Sequence, residues 1–253
     1  MKTIWITGGS SGIGFATAEK FLDKGWKVII SARNIKKLEE AKEKLSKNSA
    51  NKDIYICECD ISKRDQVKNT IDKIISVHKN IDLAILNAAA YSPNKNQNFS
   101  IENYELLIDV NLKGTLYCIE MLLKKISDND KCHIAIVSSP VGYRGLPTAG
   151  AYGLTKAGLL NLAESLYFDL KKDNFKISVI NPGFIKSEST NLNTFPMPFL
   201  KSSKFAADKI YKGLTGKYKF EIFFPWFFLI LLKFFRILPY GLYFYLIKKI
   251  TKL

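Results

Sequence analysis

The chain has 253 residues, 47% of them hydrophobic and 24% charged, with a formal net charge of +15. That composition supplies apolar surface for a sizeable core and excludes a disordered chain. Its histidines are His78 and His133 alone, and its four cysteines form no CxxC pair, which leaves a zinc hydrolase site or a Ser-His-Asp triad little to draw on.

Short apolar runs alternate with longer helical patterns. Thr3–Thr7 reads as a strand and is followed by a helix from Gly12 to Asp23. Lys27–Ser31 is the next strand, then a charged helix from Ile35 to Leu45. Asp53–Cys57, Asp82–Leu86, His133–Ser138 and Lys176–Ile180 supply further strands, and Tyr104–Ile126 and Ala151–Lys171 are the longest helical patterns. Strands that read as unbroken apolar runs are buried on both faces, and their alternation with helices implies parallel pairing. The fold class is α/β, a doubly wound parallel sheet in a Rossmann-like three-layer αβα arrangement. One domain runs over residues 1–220, and residues 221–253 form an appended amphipathic helical tail. Cys57 and Cys59 share a strand-like stretch but face opposite ways, so they and Cys118 and Cys132 read as reduced core thiols. The N-terminal apolar run is too short for a signal peptide, and the expectation is a cytoplasmic protein.

Between the first strand and the first helix stands Thr7-Gly-Gly-Ser-Ser-Gly-Ile-Gly14. Glycine weakens both element types, so the stretch is either a plain loop or a phosphate-binding turn, where backbone N–H groups approach a ligand without a side chain intervening. Its neighbours decide. Ser138-Ser139 ends a strand, Tyr152 follows Ser139 by thirteen residues, and Lys156 lies four further on. Tyr-x-x-x-Lys alone is weak, because Tyr91–Lys95, Tyr167–Lys171 and Tyr245–Lys249 share it. Only Tyr152–Lys156 opens a helix at the carboxyl end of a serine-bearing strand, where open α/β sheets place their ligands. Residues four apart share a helix face, so the Lys156 ammonium is expected to lower the Tyr152 phenol from its usual pKa of about 10. A phenol so tuned exchanges a proton with a carbonyl oxygen.

Taken with "LNAAA", "DVNLKG" and "NPGFIKS", these motifs resemble those of the short-chain dehydrogenase/reductase family in its single-domain branch, over residues 1 to about 190. The resemblance implies Tyr152 as acid/base, Lys156 as its modulator and a ribose contact, and Ser139 as the binder of the substrate oxygen. It implies for Asn111, mid-helix with Gly114 nearby, a helix distortion whose side chain holds a water linking the lysine to solvent. It gives the cofactor contacts to Gly8, Ser10, Ser11, Gly12, Ile13 and Gly14, to Asp60 and Ile61 at the adenine, and to Asn87, Ala88 and Ala89. Pro182, Gly183, Ile185 and Ser187 complete the set. Ala89 stands where the family has glycine, which crowds the adenine ribose slightly, and Ser187 where it has threonine, which keeps the hydroxyl. NAD-preferring relatives place an acid at the end of the second strand; here Ala32 is followed by Arg33 and Asn34. Arg33, with Ser10, Ser11 or Asn34, suits a 2′-phosphate through charge-assisted hydrogen bonds, so NADP(H) is expected. Family analogy also suggests a homodimer.

From Lys201 onward eleven Lys/Arg face only Asp208 and Glu221, and 13 of the 28 residues from Tyr218 to Tyr245 are aromatic. That pairing points to a membrane surface and away from nucleic acid. A spanning helix needs about 20 mostly apolar residues. Lys233 and Arg236 interrupt this stretch at about 2.5–3.5 kcal/mol each, and Pro225 and Pro239 break it. The expectation is two short amphipathic helices in the interface, with Lys233, Arg236, Lys248, Lys249 and Lys252 toward the phosphates of an anionic membrane, peripherally on the cytoplasmic face. A lid or an oligomer interface that buries the same aromatics stays open beside it. Either use favours a large apolar substrate. Family members that act on the acidic acyl carrier protein also have basic surfaces, but usually end without such a tail. The reading is an NADP(H)-dependent oxidoreductase interconverting a ketone or aldehyde and an alcohol on a hydrophobic, lipid-like compound. A noncatalytic NADP(H)-binding sensor or scaffold at the membrane is the runner-up, and the intact Ser-Tyr-Lys set argues against it.

Overall fold

Seven short apolar segments become the strands of one sheet: β1 (Thr3–Thr7), β2 (Lys27–Ala32), β3 (Ile54–Glu58), β4 (Leu83–Leu86), β5 (Cys132–Val137), β6 (Phe175–Pro182) and β7 (Glu221–Phe224). Their order across the sheet is β3-β2-β1-β4-β5-β6-β7, with every neighbouring pair parallel. The computed structural model describes residues 1–92, 99–170, 174–193 and 196–251.

Both faces of the sheet are covered, which is why β1 and β4 are buried along their whole length and read as unbroken apolar runs. Helices α1 (Gly12–Asp23), α2 (Ile35–Asn48) and, late in the chain, Ser203–Thr215 cover one face. Helix α3 (Arg64–His78) covers the other with the helices Gly114–Lys125 and Gly150–Asp169. Alternate strand residues divide between the two layers: Ile4 and Ile6 join the cluster of Phe21, Leu38 and Ile210, and Trp5 joins that of Ile71, Leu122 and Leu159. Trp5 is fully buried and its indole N–H donates to Ser31 Oγ at 3.1 Å, so its polar edge is satisfied within the core.

The long helical pattern expected over Tyr104–Ile126 is a continuous run of three pieces. Helix α4 (Ile101–Leu107) leads into a π-helical segment, Ile108–Lys113, and then into α5 (Gly114–Lys125). Helix α6 (Gly150–Asp169) ends before Lys171, which lies outside the described residues, as does Lys95. The remaining helices are α7 (Ser203–Thr215), α8 (Trp226–Ile237) and α9 (Tyr240–Thr251).

The sheet takes one segment that the sequence reading gives to the tail. Glu221–Phe224 pairs with β6 from Val179 to Pro182, burying Ile222 and Phe224. Four residues inside an aromatic run carry too little alternation to stand out as a strand. The tail therefore begins at Pro225, and the two helices expected in it are α8 and α9, with Pro239 between them. Each docks one side on the domain, through Leu229 and Phe235 in α8 and Tyr243 and Ile247 in α9. Phe227, Ile230, Leu231 and Phe234 form an exposed stripe along α8, so this helix is apolar on two sides. Lys233 corrects the expectation of a lipid-facing cation: it pairs with Glu221 and lies 4.4 Å from the Phe223 ring centroid, because the strand ahead of α8 puts a carboxylate within its reach. Arg236, Lys248 and Lys249 are exposed, and Lys252 lies outside the described residues.

Candidate active site

The strand order reverses between β1 and β4, and the crevice beyond their carboxyl ends is the ligand position of such sheets. The glycine-rich turn lies there. Gly8 and Gly12 have φ of +65° and +55°, the left-handed region that side chains avoid. A Cβ on Gly8 would come within 2.9 Å of the Ala88 backbone, and one on Gly14 would collide with the Gly8 carbonyl. The turn is thus drawn tight against β4 and the first turn of α1. Ser11 makes no side-chain cap, and the first turn of α1 contains no acid, so its N–H groups and dipole are available to an anion. These features fit the pyrophosphate of a dinucleotide. Ser10 and Ile13 are half-buried and Ser11 is exposed beside them.

Asn87 buttresses this turn. Its Nδ2 donates to the carbonyls of Thr7 (3.0 Å) and Gly8 (3.2 Å), while Thr7 Oγ1 accepts the N–H groups of Asn87 and Ala88. Ala88 is half-buried and Ala89 exposed. Beyond the end of β2 a cleft of about 660 Å³ is lined by Arg33, Asp60, Gln66 and Lys73 among others. Arg33 is exposed at the end of β2. Asn34 is a helix cap, its Oδ1 accepting the Lys37 N–H at 3.0 Å. Asp60 Oδ1 accepts from the Ser62 N–H and hydroxyl, and Ile61 is buried where a Cβ on Gly114 would meet it at 2.8 Å.

Across the sheet, Ser139, Tyr152 and Lys156 come together where β5 meets α6. Ser139 starts a 3₁₀ turn (Pro140–Gly142), its Oγ accepting the Val141 N–H at 3.4 Å, and stands beside the Tyr152 phenol, where its hydroxyl favours the phenolate. Lys156 is 2% exposed and donates to the Val137 carbonyl at 2.9 Å. Ser138 Oγ donates to the Lys156 carbonyl at 2.8 Å, which ties α6 to the end of β5. Burial pushes the Tyr152 phenol well above its usual range, and the neighbouring Tyr91 adds to this. The net direction is thus opposite to the lowering expected from Lys156. The ammonium sits 5.5 Å from the Tyr152 ring centroid and is turned to Val137, while desolvation acts directly on the phenolate. The same desolvation brings Lys156 down to about 8.

The helix distortion expected at Asn111 is the π-helical segment. Its side chain is 1% exposed, and the bonds it makes are to protein: Oδ1 accepts the Ala90 N–H at 2.7 Å, and Nδ2 donates to the Ala90 carbonyl and Thr155 Oγ1. Asn111 thus ties the loop after β4 to α6. On the remaining wall, Pro182 ends β6, the Gly183 N–H donates to the Phe224 carbonyl, and Ile185 is buried. The Ser187 N–H donates to Thr190 Oγ1 at 2.9 Å, and a Cβ on Gly12 would meet Ser187 Cβ at 3.5 Å. The strand-end segment therefore lies over the glycine turn.

Several residues at the site escape the sequence reading. Tyr91 meets Tyr152 edge-on, with ring centroids 4.8 Å apart, and its hydroxyl donates to Asn193. Phe228 of α8 lies 5.9 Å from the rings of both Phe184 and Phe199. Thr7 and Thr190 are short-range partners whose adjacency to the glycine turn and to Ser187 was the available signal; Tyr91 and Phe228 had none, since only folding brings them near Tyr152 and Phe184.

A family model for the short chain dehydrogenases matches residues 2–195. An uncharacterized oxidoreductase of Myxococcus xanthus is 29% identical over 242 residues, covering 96% of this chain and 94% of that protein. The 3-oxoacyl-(acyl-carrier-protein) reductase FabG of Rickettsia typhi is 35% identical over 191 residues, 75% of each chain. Among solved structures, a short chain dehydrogenase/reductase from Burkholderia phymatum in complex with NAD superposes with a TM-score of 0.83 at 20% identity, covering 92% of each chain. An alcohol dehydrogenase from Thermococcus sibiricus complexed with 5-hydroxy-NADP gives 0.78 at 21% identity, covering 88% of this chain and 95% of that one.

Proposed function

This chain belongs to the short-chain dehydrogenase/reductase family, and on that premise we propose that it is an NADP(H)-dependent oxidoreductase interconverting a carbonyl and an alcohol on a hydrophobic, lipid-like substrate. The observation that carries this reading is the meeting of Ser139 and Tyr152 beside a buried Lys156, at the end of the sheet where the glycine turn opens α1. The nicotinamide cofactor, when bound, supplies or accepts the hydride. Its pyrophosphate would be held by the turn of Gly8, Gly12 and Gly14, and its adenine end by Asp60 and Ile61.

In the reductive direction Ser139 Oγ donates a hydrogen bond to the substrate carbonyl oxygen, and Tyr152 Oη delivers its proton to that oxygen as the alcohol forms. A phenol raised by burial carries that proton throughout the neutral range, as the acid role needs. Lys156, cationic below about 8, favours the phenolate left behind. In the oxidative direction the proton returns to Tyr152. Arg33 and the absence of an acid at Ala32 support NADP(H). An apolar substrate is supported by Tyr91 against Tyr152, by the Phe184–Phe228 ring pair beside Gly183, and by the 3-oxoacyl chemistry in the name of the Rickettsia typhi relative. The exposed apolar stripe of α8, with no acid after Glu221, supports peripheral contact with an anionic membrane. Homodimeric assembly is part of the same reading, with Leu116, Leu154 and Phe168 as exposed apolar surface for it to cover.

Tyr152→Phe tests the catalytic assignment. It removes the transferable proton and keeps the ring, so turnover of a hydrophobic ketone should vanish while titrated NADPH affinity stays close to wild type. Retention of substantial turnover would reject the role given to Tyr152.

A further inference from the structure

The segment between Ser139 and α6 makes few hydrogen bonds of its own. Gly142 N–H donates to the Ser139 carbonyl at 2.9 Å, Tyr143 N–H to Pro140 at 3.0 Å, and Ala149 N–H to Leu146 at 3.3 Å. Thr148 has φ of +62°, a conformation that β-branched residues rarely adopt. Ala149 begins α6 without a side-chain cap. Residues 143–146 are held from elsewhere, and the holds come from β7 and the tail helices. Tyr143 Oη donates to Glu221, which also accepts from Asn181 Nδ2 at 2.8 Å and from Lys233. Arg144 Nη1 donates to the carbonyls of Phe235 and Leu238, the latter at 2.7 Å. Both carbonyls lie at the carboxyl end of α8, where that of Phe235 also accepts the Leu238 N–H at 3.4 Å. The Arg144 guanidinium also lies 4.0 Å from the Tyr243 ring centroid and 4.9 Å from that of Tyr240, and Tyr243 Oη donates to the Gly145 carbonyl. Leu146 packs against the buried cluster of Phe235, Tyr243 and Ile247.

We propose that α8 and α9 form a buttress that sets the position of the catalytic loop, and that Arg144 is the positioning residue through which they act. The inference rests on the oxidoreductase reading above. Arg144 lies five residues beyond Ser139, and the bonds it makes are to tail backbone and tail rings. A guanidinium is suited to this place because its plane stacks on Tyr243 while one edge donates to two carbonyls; a lysine ammonium does not combine the two. With the clamp gone, the Ser139 hydroxyl and the entry to α6 lose their fixed spacing. The glycine turn, on the far side of the switch point and built from β1, α1 and β4, does not depend on it.

The test compares Arg144→Ala, Arg144→Lys and Tyr243→Phe with the wild type on a small soluble ketone, following kcat, KM, NADPH affinity by fluorescence titration, and melting temperature. Misplacement on the ångström scale costs about a hundredfold in rate, so kcat of Arg144→Ala should fall about 10- to 100-fold with NADPH affinity held within about twofold. Millimolar guanidinium should restore part of that kcat, and Arg144→Lys should not replace it. Wild-type kcat in folded Arg144→Ala, equal loss of kcat and NADPH affinity, or no response to guanidinium would each overturn the proposal. If Arg144→Ala does not fold, Tyr243→Phe decides, because it keeps the ring and removes only the bond to Gly145: a fall in kcat at unchanged NADPH affinity supports the buttress, and wild-type kcat rejects it. Retained turnover in Tyr152→Phe would instead strike the oxidoreductase reading itself, whatever Arg144 does.

Discussion

Lys156 is the residue at which stability and chemistry oppose one another most directly. Burial lowers it from 10.5 to about 8, so between those values the unfolded chain holds a proton that the folded chain has released. Stability therefore rises with pH across this window and is flat below about 8, where the buried ammonium carries its full desolvation cost. Relative to Lys156→Met, the wild type should gain on the order of 3 kcal/mol between pH 8 and 10.5. Denaturant titrations of both proteins at pH 7 and at pH 10 read this difference; a difference that does not change with pH would mean that the ammonium is solvated. Arg33 poses a question of cofactor choice at the same scale. A charged hydrogen bond is worth about 1.5–3 kcal/mol, roughly ten- to a hundredfold in affinity. Arg33→Ala should weaken NADPH by that factor and leave NADH nearly unchanged, and equal weakening of both would remove the 2′-phosphate role. Both residues stand out as candidates from their place beside a motif, whereas the burial that lowers Lys156 exists only in the folded chain.

At the scale of elements, α8 has two apolar sides and one domain to cover them. Leu229 and Phe235 go inward, while Phe227 and Trp226 stay 63% and 66% exposed. Among the described residues no helix is long and apolar enough to cross a membrane, so the proposed contact is one of a helix lying in the interface. Full-length protein should then cosediment with anionic liposomes, and deletion from Trp226 should release it. High salt should weaken binding only in part, since screening removes charge attraction and leaves apolar burial. Protein that stays in the supernatant with lipid at low salt would leave the exposed stripe to an oligomer interface. The deletion also removes the clamp on residues 143–146, so its loss of turnover is read against Arg144→Ala, which keeps the aromatic stripe.

For the whole molecule, the sheet is the frame on which separate motifs meet. The strands from β1 to β6 and the start of the glycine turn could be read locally, because burial on both faces and a 3.6-residue helical period are properties of consecutive residues. So could the Ser139, Tyr152 and Lys156 set, whose spacing across one strand end and one helix start fixes its geometry. β7 was hidden, since its pairing with β6 joins residues some forty positions apart, as with Val179 and Glu221, and four aromatic-rich residues carry no period of their own. The direction of the Tyr152 shift was not legible for a related reason: helical spacing to Lys156 is local, but the burial that dominates exists only in the folded chain, and the charge effect of Tyr91 adds to it. The sequence by itself determined the α/β class, the turn that fits a phosphate and the residues proposed as the acid/base pair, all set by near neighbours in the chain. Only the tertiary structure decided that Lys233 faces Glu221, that Asn111 binds Ala90 and Thr155, and that the tail grips the loop after Ser139, because each of these joins side chains whose proximity exists only once the sheet has closed.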